Sequence, residues 1–329
     1  MTSLKAAVPF ALFVLLAFPI VACAQGAAKQ EILILNKAEA TMVIVDAKTL
    51  EIVARVPTGD FPHEVAVSAD GKTAYVANYG DGPNPNNSIS VIDIPSRKEV
   101  KRIDLGGFYR PHGIVVADGK VYFTSEASRT VARYDPAADK IDWVMGTGQA
   151  ATHMLVLTPD GSKMYTANIG SDTVTSISLK GRPDVKQIAV GRQPEAIDVS
   201  PDGKEVWVGQ NGDGKISIID PATDQVKETI TVGEVPIRVK FTPDGKYVLV
   251  SDARSGELVV VDAATRKEVK RAAVGGVPVG ILVQPDSKRA YVALTQLDTV
   301  KVFDMGLMEF VKDLKPGDNP DGLGWAAYQ

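Results

Sequence analysis

Cysteine is almost absent from this chain, because Cys23 is the only one among 329 residues. A domain without a second cysteine has no internal disulfide, so its stability must come from packing. Histidine occurs only three times, and aromatic residues make up 6% of the sequence. The chain also lacks a run of basic residues, and its formal net charge is −4 at pH 7. This balance argues against a nucleic-acid partner, which would need a positively charged stripe.

Several catalytic motifs are missing as well. The sequence contains no G-x-S-x-G nucleophile elbow, no G-x-x-x-x-G-K phosphate loop, no H-E-x-x-H pair and no C-x-x-C-H haem attachment. No thiol remains for nucleophilic catalysis apart from Cys23. These absences leave open whether the protein is an enzyme.

The one long apolar stretch lies at the N-terminus, where Lys5 precedes the nearly unbroken apolar residues 6–21. This pattern predicts a secretory signal peptide over residues 1–23. The sequence Ile-Val-Ala-Cys at 20–23 is that of a lipobox, which would leave an acylated Cys23. Ala22-Cys23-Ala24 equally fits cleavage before Gln25. We expect residues 24–329 to be a soluble periplasmic, cell-surface or secreted domain, attached to a membrane only through a lipid on Cys23.

Two landmarks recur along the rest of the chain. One is an Asp-Gly turn, and from Asp118 to Asp286 its aspartate returns every 42 residues. The other is Gly-x-x-Pro, and with two degenerate copies at Pro111 and Thr152 it occurs seven times. A period of this length with 29 Gly and 20 Pro is typical of a β-propeller.

Each repeat contains four short alternating runs separated by turns, as in residues 195–232. Four strands per repeat and seven repeats predict an all-β, seven-bladed propeller with four antiparallel strands per blade. The first unit begins with a second-strand run at Ile32, and the last ends with a first-strand run through Trp325. We therefore expect N- and C-terminal strands to share the closing blade of a single domain, and we expect a monomer.

The repeat resembles the YVTN-type β-propeller repeat. The resemblance rests on Ala-Tyr-Val-Ala-Asn at 74–78, Met-Tyr-Thr-Ala-Asn at 164–168 and Ala-Tyr-Val-Ala at 290–293, and on the strands that follow. It covers nearly all of residues 24–329 and implies the propeller fold. Propellers of this kind include surface proteins, lactonase-like and lyase-like enzymes and cofactor-binding domains, so the resemblance does not select a function.

All three histidines occupy one repeat position, directly after the repeat proline or its replacement. In blade order this position holds His63, His112, His153, Glu195, Ile237, Val279 and Asp321. Random placement over the repeat would bring three histidines together about once in 1,800 cases. Duplication of a Pro-His pair is the alternative explanation. In a propeller this position lies at the channel face, where loops converge on a concave mouth.

Imidazole is the commonest metal ligand, and three of them suit one transition metal such as Zn, Cu, Ni or Fe. We expect His63, His112 and His153 to hold the metal, with Glu195 as a fourth ligand or general base. Arg192 and Arg238 are candidate clamps for an anionic group of a substrate. A six-residue insertion around residues 79–87 is expected to form a long loop on the same face, with oxygen ligands that could also suit Ca²⁺.

Two functions follow from these observations. The first is an exported, non-catalytic propeller that binds a small molecule, a glycan or a protein at its channel face. The alternative is a metal-dependent lyase or lactonase-like hydrolase, in which the metal polarises a substrate oxygen or activates water.

Overall fold

The computed structural model describes residues 1–4 and 28–329. Seven four-stranded antiparallel sheets make up this part of the chain, so the predicted seven-bladed propeller is confirmed. The predicted signal peptide from residue 5 onwards, with Cys23, lies outside the described residues. Within them, no helix combines the length and the apolar character that crossing a bilayer requires.

The blades follow one another along the chain, and the first strand of each blade is the innermost. Blade 1 comprises β28 (Pro320–Tyr328), β1 (Lys29–Asn36), β2 (Thr41–Asp46) and β3 (Ile52–Pro57). Blade 2 comprises β4 (Pro62–Val67), β5 (Thr73–Gly80), β6 (Pro85–Asp93) and β7 (Lys98–Asp104). Blade 3 comprises β8 (Pro111–Ala117), β9 (Lys120–Ser125), β10 (Thr130–Asp135) and β11 (Lys140–Gly146).

The other four blades repeat this order, with two single-turn 3₁₀ helices at Ile169–Ser171 and Thr295–Leu297. Blade 4 comprises β12 (Thr152–Leu157), β13 (Lys163–Asn168), β14 (Thr173–Ser178) and β15 (Val185–Ala189). Blade 5 comprises β16 (Pro194–Val199), β17 (Val206–Gln210), β18 (Lys215–Asp220) and β19 (Gln225–Thr231). Blade 6 comprises β20 (Pro236–Phe241), β21 (Tyr247–Asp252), β22 (Glu257–Asp262) and β23 (Glu268–Ala273). Blade 7 comprises β24 (Pro278–Val283), β25 (Arg289–Leu294), β26 (Thr299–Asp304) and β27 (Glu309–Leu314).

Blade 1 closes the ring in the way the sequence predicts. Strand β28 pairs with β1 in antiparallel register from Lys29 opposite Tyr328 to Asn36 opposite Pro320. The hydroxyl of Tyr328 donates to Glu31 Oε2 at 3.0 Å, and Arg97 of blade 2 donates to the same oxygen at 2.6 Å. The buried Glu31 carboxylate therefore joins the two ends of the chain to the neighbouring blade.

The apolar core lies between neighbouring blades. In the layer between blades 5 and 6, the fully buried Trp207 packs edge-on against Phe241, with ring centroids 5.5 Å apart. Similar clusters of Val, Ile, Leu and Tyr occupy the other six blade interfaces. Because the second and third strands are covered on both faces, they are apolar almost throughout, as in β22.

The repeated Asp-Gly pairs form turns, as predicted. In blade 5, Ser200 Oγ donates to Asp202 Oδ1 at 2.7 Å, and Gly203 has a φ of +71°. A glycine adopts this left-handed conformation without the clash that a Cβ introduces. In blade 7 the equivalent residue is Ser287, with a φ of +59°.

We expect Gly203→Ala to lower the free energy of unfolding by about 1–2 kcal/mol, because a Cβ in the left-handed region is strained. The added Cβ would also lie 3.2 Å from Pro159 Cδ. Urea denaturation of the purified domain measures the change. Gly107→Ala is the control, since nothing lies within 4 Å of a Cβ there. Equal stability of the two variants would contradict the explanation.

Candidate functional site

The first strands of the seven blades line the central channel, and the residue after each repeat proline lies near the start of its strand. We call these seven residues the ring residues and this end of the channel the mouth. The ring residues are His63, His112, His153, Glu195, Ile237, Val279 and Asp321.

The three histidines lie side by side at the mouth. The ring centroids of His112 and His153 are 3.6 Å apart, and those of His63 and His112 are 5.0 Å apart. The Tyr79 ring packs against His63 with a centroid distance of 4.6 Å. Only 4% of His112 is exposed. The structure thus brings the three predicted metal ligands into one cluster.

Two of the imidazoles have one nitrogen fixed by an acceptor. His63 Nδ1 lies 2.9 Å from the carbonyl oxygen of Phe61. His153 Nδ1 is hydrogen-bonded to Glu126, whose other carboxylate oxygen accepts from the Tyr79 hydroxyl at 2.6 Å. The Nδ1 atom of His112, between them, is buried and has no partner among the described residues.

Glu195 lies next to this cluster in blade 5. Its Oε1 is 3.4 Å from His153 Nε2, and its Oε2 accepts a hydrogen bond from the side-chain amide of Asn211. Glu195 therefore lies beside the histidines, and its role as a fourth ligand or general base stays a prediction. Ile237 and Val279 supply the apolar side of the mouth, and both contribute to the core between blades 1 and 7.

The imidazoles differ in their affinity for protons. Burial lowers the pKa of His112 well below its ordinary value, and the neighbouring His153 and His63 add to this effect. Burial also lowers the pKa of His63. For His153 burial acts in the same direction, but hydrogen bonds to Glu126 and Glu195 outweigh it and raise its pKa to about 10. In the metal-free protein a charged imidazolium therefore lies against an uncharged imidazole.

A buried ionic network lies one residue deeper in the channel. Arg238 Nη2 donates to Glu64 Oε1 at 2.6 Å, spanning from blade 6 to blade 2. Asp321 Oδ1 is 3.9 Å from the same guanidinium, and Lys37 Nζ donates to Asp321 Oδ2 at 2.8 Å. Arg238 therefore lies in the channel wall. Its guanidinium is already paired with the Glu64 carboxylate, so its predicted role as a clamp for a substrate anion stays a prediction.

The turns that lead into the mouth have an unusual backbone. In five blades, the residue before the repeat proline or threonine is a non-glycine residue with positive φ. These residues are Phe61 (48°), Arg110 (55°), Ala151 (51°), Gln193 (53°) and Asn319 (61°). The two blades without such a residue are those with apolar ring residues, Ile237 and Val279. Twelve other non-glycine residues of the described chain share this conformation, most of them in hairpin turns, so it is a feature of the turns in general rather than of the mouth.

Arg192 lies elsewhere than predicted, whereas the insertion lies on the expected face, where its Tyr79 packs against His63. Arg192 is exposed at the rim, where its Nε donates to Asp213 Oδ1 at 2.8 Å, so the structure does not bring it to the histidines. The insertion is mostly strand, because β5 and β6 pair as far as Gly80 opposite Pro85. The Asp81 carboxylate accepts from the Asn84 backbone and side chain and closes this turn, which explains the oxygen-rich sequence without Ca²⁺.

The sequence analysis missed a second repeat position, the residue that follows the one paired with the repeat proline near the end of each second strand. It holds Lys37, Tyr79, Glu126 and Asn211 in blades 1, 2, 3 and 5. The preceding residue pairs with the repeat proline, as Asn78 does with Pro62. Side chains from this position therefore reach the ring residues. The signal was present in the sequence, since antiparallel pairing brings the end of a second strand to the start of the first.

The geometry stops short of a ready-made metal centre. Among residues 1–4 and 28–329, no three His, Cys, Asp or Glu side chains are disposed to hold a metal ion. His153 uses both ring nitrogens in contacts with Glu126 and Glu195. The assignment of a metal to His63, His112 and His153 therefore stays a prediction.

Solved structures similar to this chain are propellers of low sequence identity. Hydrazine synthase from Kuenenia stuttgartiensis is 20% identical with a TM-score of 0.73, over 84% of this chain and 92% of that one. A functionally unknown protein from Desulfotomaculum acetoxidans is 13% identical with a TM-score of 0.77, over 91% and 98%. Dihydro-heme d1 dehydrogenase NirN, solved with DHE, is 17% identical with a TM-score of 0.63, over 89% and 74%. No curated protein sequence matches the chain.

A family model described as the cytochrome D1 heme domain matches residues 39–281, well over half of the chain. Membership of the YVTN-type repeat family is not shown by the comparisons, although the propeller that this resemblance implied is confirmed. The chain therefore belongs to the cytochrome D1 heme domain family.

Proposed function

We propose that this protein is an exported binding propeller whose mouth holds a transition metal ion through His63, His112 and His153. The observation that carries the proposal is the fixed Nδ1 of two of these histidines. Metal-binding histidines usually donate their second N–H to a carbonyl or carboxylate, which leaves the other nitrogen free for the metal. The carbonyl of Phe61 and the carboxylate of Glu126 are acceptors of these two kinds.

The charge of the mouth supports a cationic ligand. Four buried or half-buried carboxylates face the histidines or lie one residue deeper: Glu64, Glu126, Glu195 and Asp321. Only Lys37 and Arg238 supply fixed positive charge to the same network. With neutral imidazoles the group carries an excess of two negative charges, which a divalent ion would balance. Binding would release the His153 proton and turn Glu195 from a partner of the imidazole into a candidate ligand.

The family name raises haem as the alternative occupant. A haem would be held by one imidazole, such as that of His63 or His112, and its macrocycle would need open space beside that ring. Here His112 and His153 have centroids 3.6 Å apart, and His112 is almost fully buried. A macrocycle would need a wide slot between rings that are in contact. The described residues therefore fit a metal ion better than a haem.

The test is the metal content and metal affinity of the domain, purified without an affinity tag. We expect about one Zn, Cu, Ni or Fe per chain after metal loading, measured by mass spectrometry of the elements, because three protein ligands suffice for one ion. A His63/His112/His153→Ala triple variant should bind no metal. Glu126→Gln should weaken binding by about 10–100-fold, the usual effect of removing a partner of a ligand.

Ile237→Ala is the matched control, since it changes a ring residue on the apolar side of the mouth. It should retain full metal binding, and thermal melts should show that all the variants are folded. Absence of metal from the wild-type protein after incubation with Zn²⁺ and Cu²⁺ would refute the proposal. A haem titration belongs in the same series, and a shifted Soret band that the triple variant lacks would favour the haem alternative.

The position of Glu195 favours catalysis as a second function. A carboxylate 3.4 Å from a metal-ligand candidate is placed to accept a proton from water or substrate. Metal-dependent lactone hydrolysis or elimination by the loaded protein, lost in Glu195→Gln with metal retained, would establish the enzyme. Metal without turnover would leave a binding protein for a small molecule, a glycan or a protein partner.

Export is part of the proposal. It is supported by the predicted signal peptide over residues 1–23. Attachment to the membrane through Cys23 and a monomeric state are further expectations, as is the absence of a nucleic-acid partner. Mass spectrometry of the protein from the membrane fraction distinguishes an acylated Cys23 from cleavage before Gln25.

A further inference from the structure

Tyr79 is the residue of the inserted segment that reaches the histidines. It is the seventh of the eight residues of β5. Its backbone N–H donates to the carbonyl oxygen of Phe61 at 3.1 Å, and His63 Nδ1 lies 2.9 Å from the same oxygen. A matching backbone bond joins Glu126 to Arg110 in blade 3. The fold therefore fixes the place of this residue in several blades, and the tyrosine side chain is what distinguishes blade 2.

The ring of Tyr79 contacts two of the three histidines. It packs on His63, and it meets His112 edge to face, with centroids 5.4 Å apart and an interplanar angle of 86°. The guanidinium carbon of Arg110 lies 4.9 Å from the centroid of the same ring, and Arg110 Nη2 donates to two carbonyl oxygens of the turn that follows β5. Contacts with a cation and with two imidazoles therefore fix the orientation of the phenol ring.

The hydroxyl group of Tyr79 acts on the third histidine through Glu126. It donates to Glu126 Oε2 at 2.6 Å, and Glu126 Oε1 is hydrogen-bonded to His153 Nδ1. A carboxylate with a partner on each oxygen has a fixed direction, and so has the imidazole that donates to it. One side chain thus contacts His63 and His112 directly and reaches His153 through a single carboxylate.

The propeller does not require a tyrosine at this position. The equivalent residues are Ile169 in blade 4, Ala253 in blade 6 and Thr295 in blade 7, and these blades have the same four strands. An isoleucine or an alanine has no polar group that could hold a carboxylate. The tyrosine is therefore explained by its neighbours at the mouth rather than by the needs of the blade.

We propose that Tyr79 is the positioning residue of the mouth. Its ring orients His63 and His112, and its hydroxyl group orients His153 through Glu126. Tyr79 is not a metal ligand in this role, because its hydroxyl group is already used on Glu126. Its effect on metal affinity rests on the metal site proposed above, whereas its effect on the orientation of the imidazoles does not.

Titration with Zn²⁺ against a competing chelator is the first test. Tyr79→Phe keeps the ring and removes the hydroxyl group, so it should weaken binding roughly tenfold, the equivalent of one hydrogen bond. Tyr79→Leu removes both and should weaken binding further, towards about 100-fold. Tyr79→Phe should have no additional effect when Glu126 is already replaced by alanine, because the hydroxyl group acts through Glu126. Tyr109→Phe is the matched control, since this tyrosine of the same rim is 43% exposed, and it should bind Zn²⁺ like the wild type.

The metal-free domain provides a second test, which does not depend on the metal. The proton on His153 Nδ1 should exchange with water roughly tenfold faster in Tyr79→Phe than in the wild type, because Glu126 loses the hydrogen bond that fixes it. Nuclear magnetic resonance of isotope-labelled histidine side chains measures this rate, and Tyr109→Phe should leave it unchanged.

The outcomes separate this inference from the metal site itself. Wild-type Zn²⁺ affinity and an unchanged exchange rate in Tyr79→Phe would overturn the role of Tyr79 while leaving the metal site in place. An equal loss of affinity in the presence and in the absence of Glu126 would also overturn it, because the tyrosine would then act on the packing of the mouth alone. If the wild-type protein binds no metal, the metal site fails and the exchange rate decides the role of Tyr79. If Tyr79→Leu does not fold, Tyr79→Phe decides both tests.

Discussion

Removal of residues 320–329 is expected to abolish cooperative folding of the whole propeller. The deletion removes β28, the inner strand of blade 1, and leaves the β1 edge unpaired. It also uncovers Ile32 and Ile34, which are fully buried, and removes the buried Tyr328. Removing a large buried side chain, or exposing one by removing the strand that packs on it, lowers the free energy of unfolding by about 2–5 kcal/mol. Summed over these residues, the loss approaches the total stability of a typical domain.

Thermal unfolding followed by circular dichroism measures this effect, with a chain lacking only the exposed Gln329 as the control. We further expect a synthetic peptide of residues 320–329 to restore part of the transition when added in excess. A Tyr328→Ala version of the peptide should restore less, because it cannot donate to Glu31. A truncated chain that melts like the full-length protein would show that the closure contributes little.

Asp224→Ala is expected to lower the free energy of unfolding by about 3–5 kcal/mol, because it leaves buried donors without their acceptor. Asp224 belongs to the turn between β18 and β19 in blade 5, and its side chain is 3% exposed. It accepts hydrogen bonds from four residues of blade 4, which are Tyr165 at 2.7 Å, Ser176 at 3.0 Å, Lys163 at 2.8 Å and Lys186 at 3.0 Å. This carboxylate therefore holds two blades together.

The same network predicts a dependence of stability on pH. Burial raises the pKa of Asp224, but hydrogen bonds from Lys163, Tyr165, Lys186 and Ser176 outweigh it and lower the pKa to about 2. A carboxyl group with a lowered pKa in the folded state stabilises above its unfolded pKa near 4 and loses this effect as the pH falls towards 2. Denaturation curves between pH 7 and pH 2 should show the loss in the wild-type protein and a much smaller one in Asp224→Ala.

Asp184→Ala is the matched control for this prediction. Asp184 pairs with the same Lys186 at 3.6 Å, but its side chain is 63% exposed. Exposed ion pairs contribute 0 to about 1 kcal/mol, so the variant should be close to the wild type in stability. Similar losses in both aspartate variants would indicate that the charge of Lys186, rather than the buried network, decides the result.

The repeat in the sequence was sufficient to predict the propeller, its seven blades and its closure, because each landmark has a direct structural meaning. Asp-Gly marks a turn, and the second and third strands are apolar because both faces are covered. The pairing of β1 with β28 in one blade follows from the same count of strands. The clustering of His63, His112 and His153 was also predictable, since equal repeat positions lie at equal heights along the channel.

The remaining site residues were harder to predict, because they depend on contacts between blades. Glu64 and Arg238 are 174 residues apart and meet only because both side chains cross the channel. Glu126 follows a second strand, so its approach to His153 requires the pairing of strands to be known. Arg192 shows the opposite error. It is close to Glu195 in the sequence and was therefore predicted to join the site, but it lies at the rim, where it pairs with Asp213.

The positive-φ turns before the ring residues have an implication for how such proteins diverge. Each ring residue stands at the start of its strand directly after a short turn, and one blade can differ from the next in this residue alone. His63, Glu195 and Val279 occupy equivalent places on nearly identical blades. A change of ligand therefore needs only one or two substitutions per blade. Among related chains, differences in what is bound should follow the seven ring residues and their preceding turns, while the blades themselves remain unchanged.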